Sequence, residues 1–203
     1  MIGALADAAQ RTVPRETFDR LRTYAALLES ETERQNLVSR GTLSDLWERH
    51  ILDSAQLVRY EPSAGATWVD IGSGAGLPGI VLACLVEGPV TLVEPRRLRA
   101  DFLQRVIAEI GVNATVIQGK AESVPGAFDM ITGRAVAPLG RFFEMCDHLS
   151  TKKSRWVLPK GRTAESELAQ ARRAWQGVFH VEPSVTDADS KIIVATEVEA
   201  RDR

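Results

Sequence analysis

The sequence predicts an α/β fold: a seven-stranded, mostly parallel sheet whose last strand is antiparallel, preceded by an N-terminal helical extension. Three observations carry this. From Thr67 onward, short and nearly continuously apolar segments alternate with longer segments of helical spacing, the pattern of a parallel sheet covered on both faces. The last two strand segments lie only about five residues apart, too few for a parallel crossover, so they pair antiparallel. Residues 1–60 read as helical.

We place the helical extension at residues 1–62 and the α/β domain at 63–203. Pro14 suits a first helical turn, and Phe18, Leu21, Tyr24, Ala25 and Leu28 then follow a three–four spacing. Asn36 and Leu37 interrupt it. Thr42 or Ser44 is placed to cap a second helix carrying Leu46, Trp47, His50, Ile51 and Leu57. The stretch EPSAGA at 61–66 reads as a turn-rich linker. Strands are expected at 67–71, 90–94, 114–118, 128–132, 155–160, 179–185 and 191–198. Helices are expected at 77–86, 97–110, 138–148 and 163–175.

The totals exclude several classes. The chain has 203 residues, 44% apolar and 26% charged, which suits one soluble domain with a small appendage. Its longest apolar run, IVLACLV, falls well short of the roughly 20 residues that cross a bilayer and reads as a core helix, so no membrane association is expected. The N-terminus carries no leader pattern. Cys84 and Cys146 fit neither a zinc spacing nor a disulfide framework. They read as buried thiols of a cytoplasmic protein, with no metal site. A net charge of −2 argues against a wholly basic surface. Basic residues do cluster locally, at Arg96, Arg97 and Arg99, at Lys152, Lys153 and Arg155, at Lys160 and Arg162, and at Arg172 and Arg173.

The stretch WVDIGSGAGLPGI joins the first strand to the first domain helix and holds five glycines within eight positions. In an open parallel sheet a ligand lies beyond the carboxyl ends of the strands. Gly72, Gly74 and Gly76 would let the backbone approach it closely. Gly74, Gly76 and Gly79 match a dinucleotide template, with Glu94 about 20 residues on. Asp70 points elsewhere. A carboxylate two residues before the first glycine repels a pyrophosphate but suits S-adenosylmethionine, which carries an ammonium and a sulfonium. The plain structural alternative is a tight turn capped by an aspartate. Glu94, ending the second strand, is placed to accept from both ribose hydroxyls. Ala121 and Glu122 follow the third strand, where an adenine ring would lie, although an exposed glutamate at a helix start reads equally well. Arg134 follows the fourth strand, at the end where the reaction cleft is expected, although a lone arginine reads equally well as a surface charge.

The motifs DIGSGAGLPGI, NLVSRGTLSDLWERHILDS, LVEPRRLRADFL, GRAVAPL and LPKG together resemble the RsmG (GidB) family of bacterial small-subunit ribosomal RNA methyltransferases. The resemblance runs from about Asn36 to the final strand. It implies a Rossmann-like class I methyltransferase fold, S-adenosyl-L-methionine as cofactor, and methylation of the 7-nitrogen of guanine 527, in the 530 loop of 16S rRNA. By matching motifs it places cofactor contacts on Gly72, Leu77, Ala121, Glu122 and Arg134. Gly133 departs from the family pattern, where serine is expected.

Guanine N7 offers a lone pair and has no proton to lose, so the reaction needs no general base and we assign no catalytic residue. Arg134, His50 and Lys160 are positioning candidates. His50 and Asp53 could line the cleft, although a hydrogen-bonded pair fixing the extension to the domain is the preferred reading. Arg49, Arg96, Arg97, Lys160 and Arg162 are candidates for phosphate contacts. Of the four tryptophans, only Trp47 is a candidate base platform. The expected partner is 16S rRNA or the small ribosomal subunit, met by a monomer. Two rival readings remain: a nicotinamide-dependent oxidoreductase, for which 203 residues leave little room, and a ribosome-associated cofactor-binding module without catalysis.

Overall fold

The computed structural model describes residues 1–39, 41 and 45–201. The expected cap at Thr42 or Ser44 lies outside the described residues. Helices α1 (Ile2–Ala9) and α2 (Arg15–Thr32) open the chain, with Pro14 immediately before α2. A single helical stretch, α3, follows. It is wound as a π-helix over Trp47–Leu52, as an α-helix over Asp53–Ala55 and as a 3-10 helix over Gln56–Tyr60. Leu21, Tyr24, Ala25 and Leu28 of α2 are buried as their spacing predicts, as are Ile51 and Leu57 of α3.

The domain then alternates: β1 (Trp68–Ile71), α4 (Gly79–Leu85), β2 (Val90–Val93), α5 (Arg97–Ile110), β3 (Ala114–Ile117), β4 (Met130–Thr132), α6 (Leu139–Cys146), β5 (Arg155–Lys160), α7 (Ala164–Ala171), β6 (Trp175–Pro183) and β7 (Lys191–Ala200). All seven strands form one sheet in the order β3-β2-β1-β4-β5-β7-β6. The β1 to β5 neighbours pair parallel, and β7 runs antiparallel to both β5 and β6. Six strands therefore share one direction and the last opposes them, as expected. The order reverses beside β1, between β2 and β4, and that switch point opens a crevice at the strands' carboxyl ends.

Alternation along β1 divides the core. Trp68 joins a cluster with Leu21, Tyr24, Ile51, Leu57, Ile80 and Leu103, so the N-terminal helices, α4 and α5 cover one face. Val69 and Ile71 join Leu139, Phe143, Leu168 and Trp175, so α6 and α7 cover the other. Asp70, between Val69 and Ile71 in a period-two strand, therefore faces the layer that contains α4.

Most boundaries lie within two residues of the sequence reading, and two differ by four. Helix α7 ends at Ala171 rather than 175, and β6 begins at Trp175 rather than 179. The residues Arg172–Trp175 continue a helical spacing, but Trp175 is drawn into the sheet. Its ring packs 5.6 Å from Phe143, and its backbone pairs with Ala200. The register then shifts between Gln176 and Val178, around Gly177. All four tryptophans pack inside or against the protein. Trp68, Trp156 and Trp175 are buried, and Trp47 is half-buried with its ring 5.4 Å from Phe18.

Gly133, the departure from the family motif, has a packing counterpart. A Cβ there would lie 2.7 Å from Phe142 Cε2 and 2.9 Å from the Ile71 carbonyl. The missing side chain leaves room for the Phe142 ring, which packs edge-on to Trp156 at 6.2 Å. Gly133→Ser should therefore destabilise the fold by about 1–3 kcal/mol through overpacking. The urea midpoint should fall; an unchanged midpoint would show that Phe142 yields freely.

Candidate active site

The site is built on the turn from β1 to α4. Gly72 and Ser73 donate their amides to the Val93 carbonyl, at 2.8 and 3.0 Å. The Ser73 hydroxyl donates to the Asp70 carbonyl at 2.8 Å and accepts from Val93 N–H at 3.2 Å. The turn is thereby laced to β2. Gly72 and Gly76 both adopt positive φ, 68° and 98°. A Cβ on Gly76 would lie 2.6 Å from Ile80 Cγ1, and one on Gly72 would lie 2.9 Å from Val136 Cγ2. Glycine is thus demanded twice over, by conformation and by space.

Two carboxylates bracket this turn. Asp70 is fully buried, and its Oδ2 accepts the Gly79 N–H, at the start of α4, at 3.0 Å. Its Oδ1 is buried and, among the described residues, has no hydrogen-bond partner. Burial pushes the Asp70 carboxyl up to about 7, against the opposing pull of its hydrogen bonds and of Arg134. Glu94 is buried at the end of β2. Its Oε2 accepts from Gly74 N–H at 2.8 Å and its Oε1 from Arg96 N–H at 2.9 Å. Leu77 closes the turn, buried, ahead of the cis bond to Pro78, which stands just before α4 rather than inside its first turn. Beyond β3, Ala121 is buried and Glu122 exposed in a single 3-10 turn, Ala121–Ser123.

Beside the turn, at the ends of β4 and β5, lies a cleft of about 450 Å³ lined by Asp53, Arg134, Val136, Lys160, Glu167 and Lys191 among others. Arg134 Nη1 reaches Asp53 Oδ2 at 3.4 Å. Lys160 lines the cleft as expected from its strand end. Its ammonium is shared between the Ala137 carbonyl at 3.0 Å and Glu167 Oε2 at 2.9 Å. Burial alone would raise Glu167, but hydrogen bonds from Lys160 and Thr163 outweigh it and lower its pKa. Lys160 as folded thus braces the cleft wall. Burial, reinforced by Arg134, lowers His50 to about 4, so its imidazole is neutral at pH 7.

The sequence model of the GidB family, described as rRNA small subunit methyltransferase G, matches residues 17–192. The chain belongs to this family. A ribosomal RNA small subunit methyltransferase G from Zymomonas mobilis is 44% identical over 195 residues, spanning 92% of this chain and 88% of the relative. One from Novosphingobium aromaticivorans is 45% identical over 183 residues, spanning 88% and 80%. Solved structures share the fold at lower identity. A ribosomal protein L11 methylase from Lactobacillus delbrueckii subsp. bulgaricus aligns with a TM-score of 0.60 at 14% identity, over 73% of this chain and 78% of that one. A SAM-dependent methyltransferase from Aquifex aeolicus aligns with a TM-score of 0.59 at 14% identity, over 75% and 92%.

In this family member these residues named from sequence fall into three groups. Asp70, Gly72, Gly74 and Leu77 lie along the turn from β1 to α4, which Glu94 meets from the end of β2 through the Gly74 amide, while Arg134 and Lys160 face the neighbouring cleft together with Asp53. Ala121 and Glu122 sit at the end of β3, two strands from β1. Asp53, expected to pair with His50 and fix the extension to the domain, reaches the domain through Thr186 and Arg134. Asp53 Oδ1 accepts from Gln56 Nε2 at 2.8 Å and from Thr186 Oγ1 at 2.9 Å, and Oδ2 meets Arg134. Gln56, buried, also bonds Ser184 Oγ and Val185 N–H. Sequence reasoning missed Ser73, Gln56 and the 184–190 loop. Only Ser73, inside the glycine run, carried a local signal.

Two outcomes follow from this geometry. Gly74 has φ 56°, so Gly74→Val places a β-branched side chain in left-handed backbone and drives Gly74 N–H away from Glu94. Titration calorimetry should show binding of S-adenosylmethionine lost, whereas unchanged affinity would displace the cofactor from this turn. Asp70 has a folded pKa above its unfolded value. Its stabilising contribution is therefore complete below about pH 4 and is lost as pH rises through about 7. Asp70→Asn should gain stability relative to wild type between pH 5 and pH 7.5 in parallel urea melts; a constant difference would show that Asp70 does not titrate in that range.

Proposed function

We propose that this chain transfers the methyl group of S-adenosyl-L-methionine to N7 of guanine 527, in the 530 loop of 16S rRNA, acting on the small ribosomal subunit as a cytoplasmic monomer. The chain is a methyltransferase of the small-subunit rRNA family. The observation that carries the cofactor assignment is the buried, unpartnered Oδ1 of Asp70 behind a close-approach turn at the sheet's switch point. A carboxyl in that state suits a ligand bearing cationic ammonium and sulfonium groups. It would oppose a pyrophosphate. No helix of the described residues is long and apolar enough to cross a membrane. The same reading treats residues 1–62 as the helical extension and 63–203 as the methyltransferase domain.

When bound, S-adenosylmethionine supplies an electrophilic methyl group on a positively charged sulfur. The residues of the chain do the rest by placement. Gly72, Gly74 and Leu77 allow backbone approach, Glu94 takes the ribose hydroxyls, and Ala121 with Glu122 borders the adenine. The Glu94 carboxylate already accepts two amides, and each oxygen keeps a second lone pair for a hydroxyl. Arg134 and the neutral His50 orient the purine at the cleft mouth. Alignment and desolvation lower the barrier, with no proton to remove from N7.

The decisive experiment incubates the enzyme and methyl donor with small subunits lacking the modification. Nuclease fragments are then mapped by mass spectrometry. One new methyl group on N7 of guanine 527 is expected. No methylation would leave a binding module; methylation at another site would keep the enzyme class and overturn the target.

A further inference from the structure

Glu94 is followed by Pro95, Arg96, Arg97, Leu98 and Arg99, the entry to α5. These residues, with Gln35 and Asn36 of the N-terminal extension, line a second depression of about 440 Å³. Gln35 Nε2 donates to the Leu98 carbonyl at 3.2 Å, and Arg99 Nη2 to the Asn36 carbonyl at 3.3 Å, so the extension forms one wall. The depression abuts the glycine turn: Arg99 Nη1 lies 3.7 Å from the place a Gly74 Cβ would take.

Three properties set this patch apart from an ordinary solvated face. Arg96 and Arg99 have no carboxylate in ion-pair range among the described residues, and Arg97 meets only the exposed Asp101, at 3.7 Å. The chain as a whole is net acidic, so this excess of positive charge is local. Leu98 stands in the middle at 68% exposure, higher than any other large apolar side chain described apart from the N-terminal methionine. Guanidinium groups around an apolar centre match an unpaired nucleotide segment: arginines for phosphates, an apolar surface for a base face, and the Asn36 amide with the Gln35 side-chain oxygen for base edges, the Gln35 nitrogen being taken by Glu31 and Leu98.

Position supports the match. The patch follows β2, whereas the cleft with Arg134 and Lys160 follows β4 and β5, two and three strands away in the order β2-β1-β4-β5. At a strand spacing of about 4.8 Å the separation is about 10–14 Å, a span of a few nucleotides. We propose that the patch formed by Gln35, Asn36 and Arg96–Arg99 is a docking surface for the single-stranded RNA beside the target base. It grips the flanking backbone while the base enters the cleft, passing across the mouth of the cofactor turn. This rests on the rRNA reading above and adds where the strand lies.

The test uses intact enzyme with unmodified small subunits as the probe. Equilibrium affinity is measured across a KCl series for wild type, Arg96→Gln/Arg97→Gln and Leu98→Ser. Their side chains are exposed, so melting temperature and S-adenosylmethionine affinity should be unchanged. The double variant should bind more weakly, and its slope of log affinity against log salt should be shallower by about 1.4, from two lost phosphate contacts at about 0.7 each. Leu98→Ser should weaken binding without altering the slope. Wild-type affinity and slope in both variants would overturn the proposal. So would loss confined to Leu98→Ser, which would mark an apolar protein contact instead. Wild type that binds subunits without methylating them would defeat the catalytic reading alone and leave the salt-slope result to decide this one.

Discussion

The crevice depends on keeping one carboxylate, Asp70, fully buried inside the protein. Taking such a group out of solvent is costly unless its oxygens find donors, and Asp70 finds one, the Gly79 amide at the start of α4. That bond fixes how the first helix leaves the first strand. A Cβ on Gly79 would lie 2.6 Å from the same carboxylate oxygen, so the close approach and the residue type are one constraint. The second oxygen is left over, buried and without a hydrogen-bond partner among the described residues. Glu94 repeats the arrangement one strand away, using the amides of Gly74 and Arg96. The turn is therefore held at both ends by acids, and between them its backbone closes on itself, the Gly76 and Leu77 amides donating to the Ser73 carbonyl at 2.7 and 3.3 Å.

The N-terminal helices share in this arrangement. Tyr24 of α2 is wholly buried and donates its hydroxyl to the Ala75 carbonyl, within the glycine turn, at 3.0 Å. Asp53 and Gln56 of α3 tie the loop between β6 and β7 to Arg134 at the cleft. One apolar cluster runs from Leu5 through Tyr24 and Leu57 to Trp68 and Leu103. The N-terminal helices thus pack against the domain core and supply residues to both the glycine turn and the cleft.

The titratable groups are consistent with chemistry by placement. Burial holds both cysteine thiols up at about 12 and His50 down at about 4, so neither type is poised for proton transfer near neutrality. Lys160 and Glu167 neutralise each other in the cleft wall. Among the described residues Arg134 pairs with Asp53 at 3.4 Å, a longer contact than the 2.9 Å between Lys160 and Glu167. Local order, charge and exclusion of water are the means this surface has for aligning a purine with a methyl donor.

The sequence by itself determined the alternation of strands and helices, the antiparallel last strand and the glycine turn, because these depend on short-range periodicity and on chain too short to cross over. It also determined that Asp70, Gly72, Gly74, Leu77 and Glu94 belong together, since they lie at strand ends joined by one turn. Tertiary structure decided the rest. Trp175 left its helical spacing because the aromatic cluster around Phe143 buries it in the sheet. Asp53 bonded Thr186, and Gln56 bonded Ser184, across more than 125 positions of chain, a pairing with no local trace. Lys160 became a brace because α7 brings Glu167 back over β5. The Arg96–Arg99 run gained a wall because α2 ends beside α5. Periodicity and turn chemistry are written within a few residues, whereas the partner of a side chain depends on which distant segment the packed core carries to it.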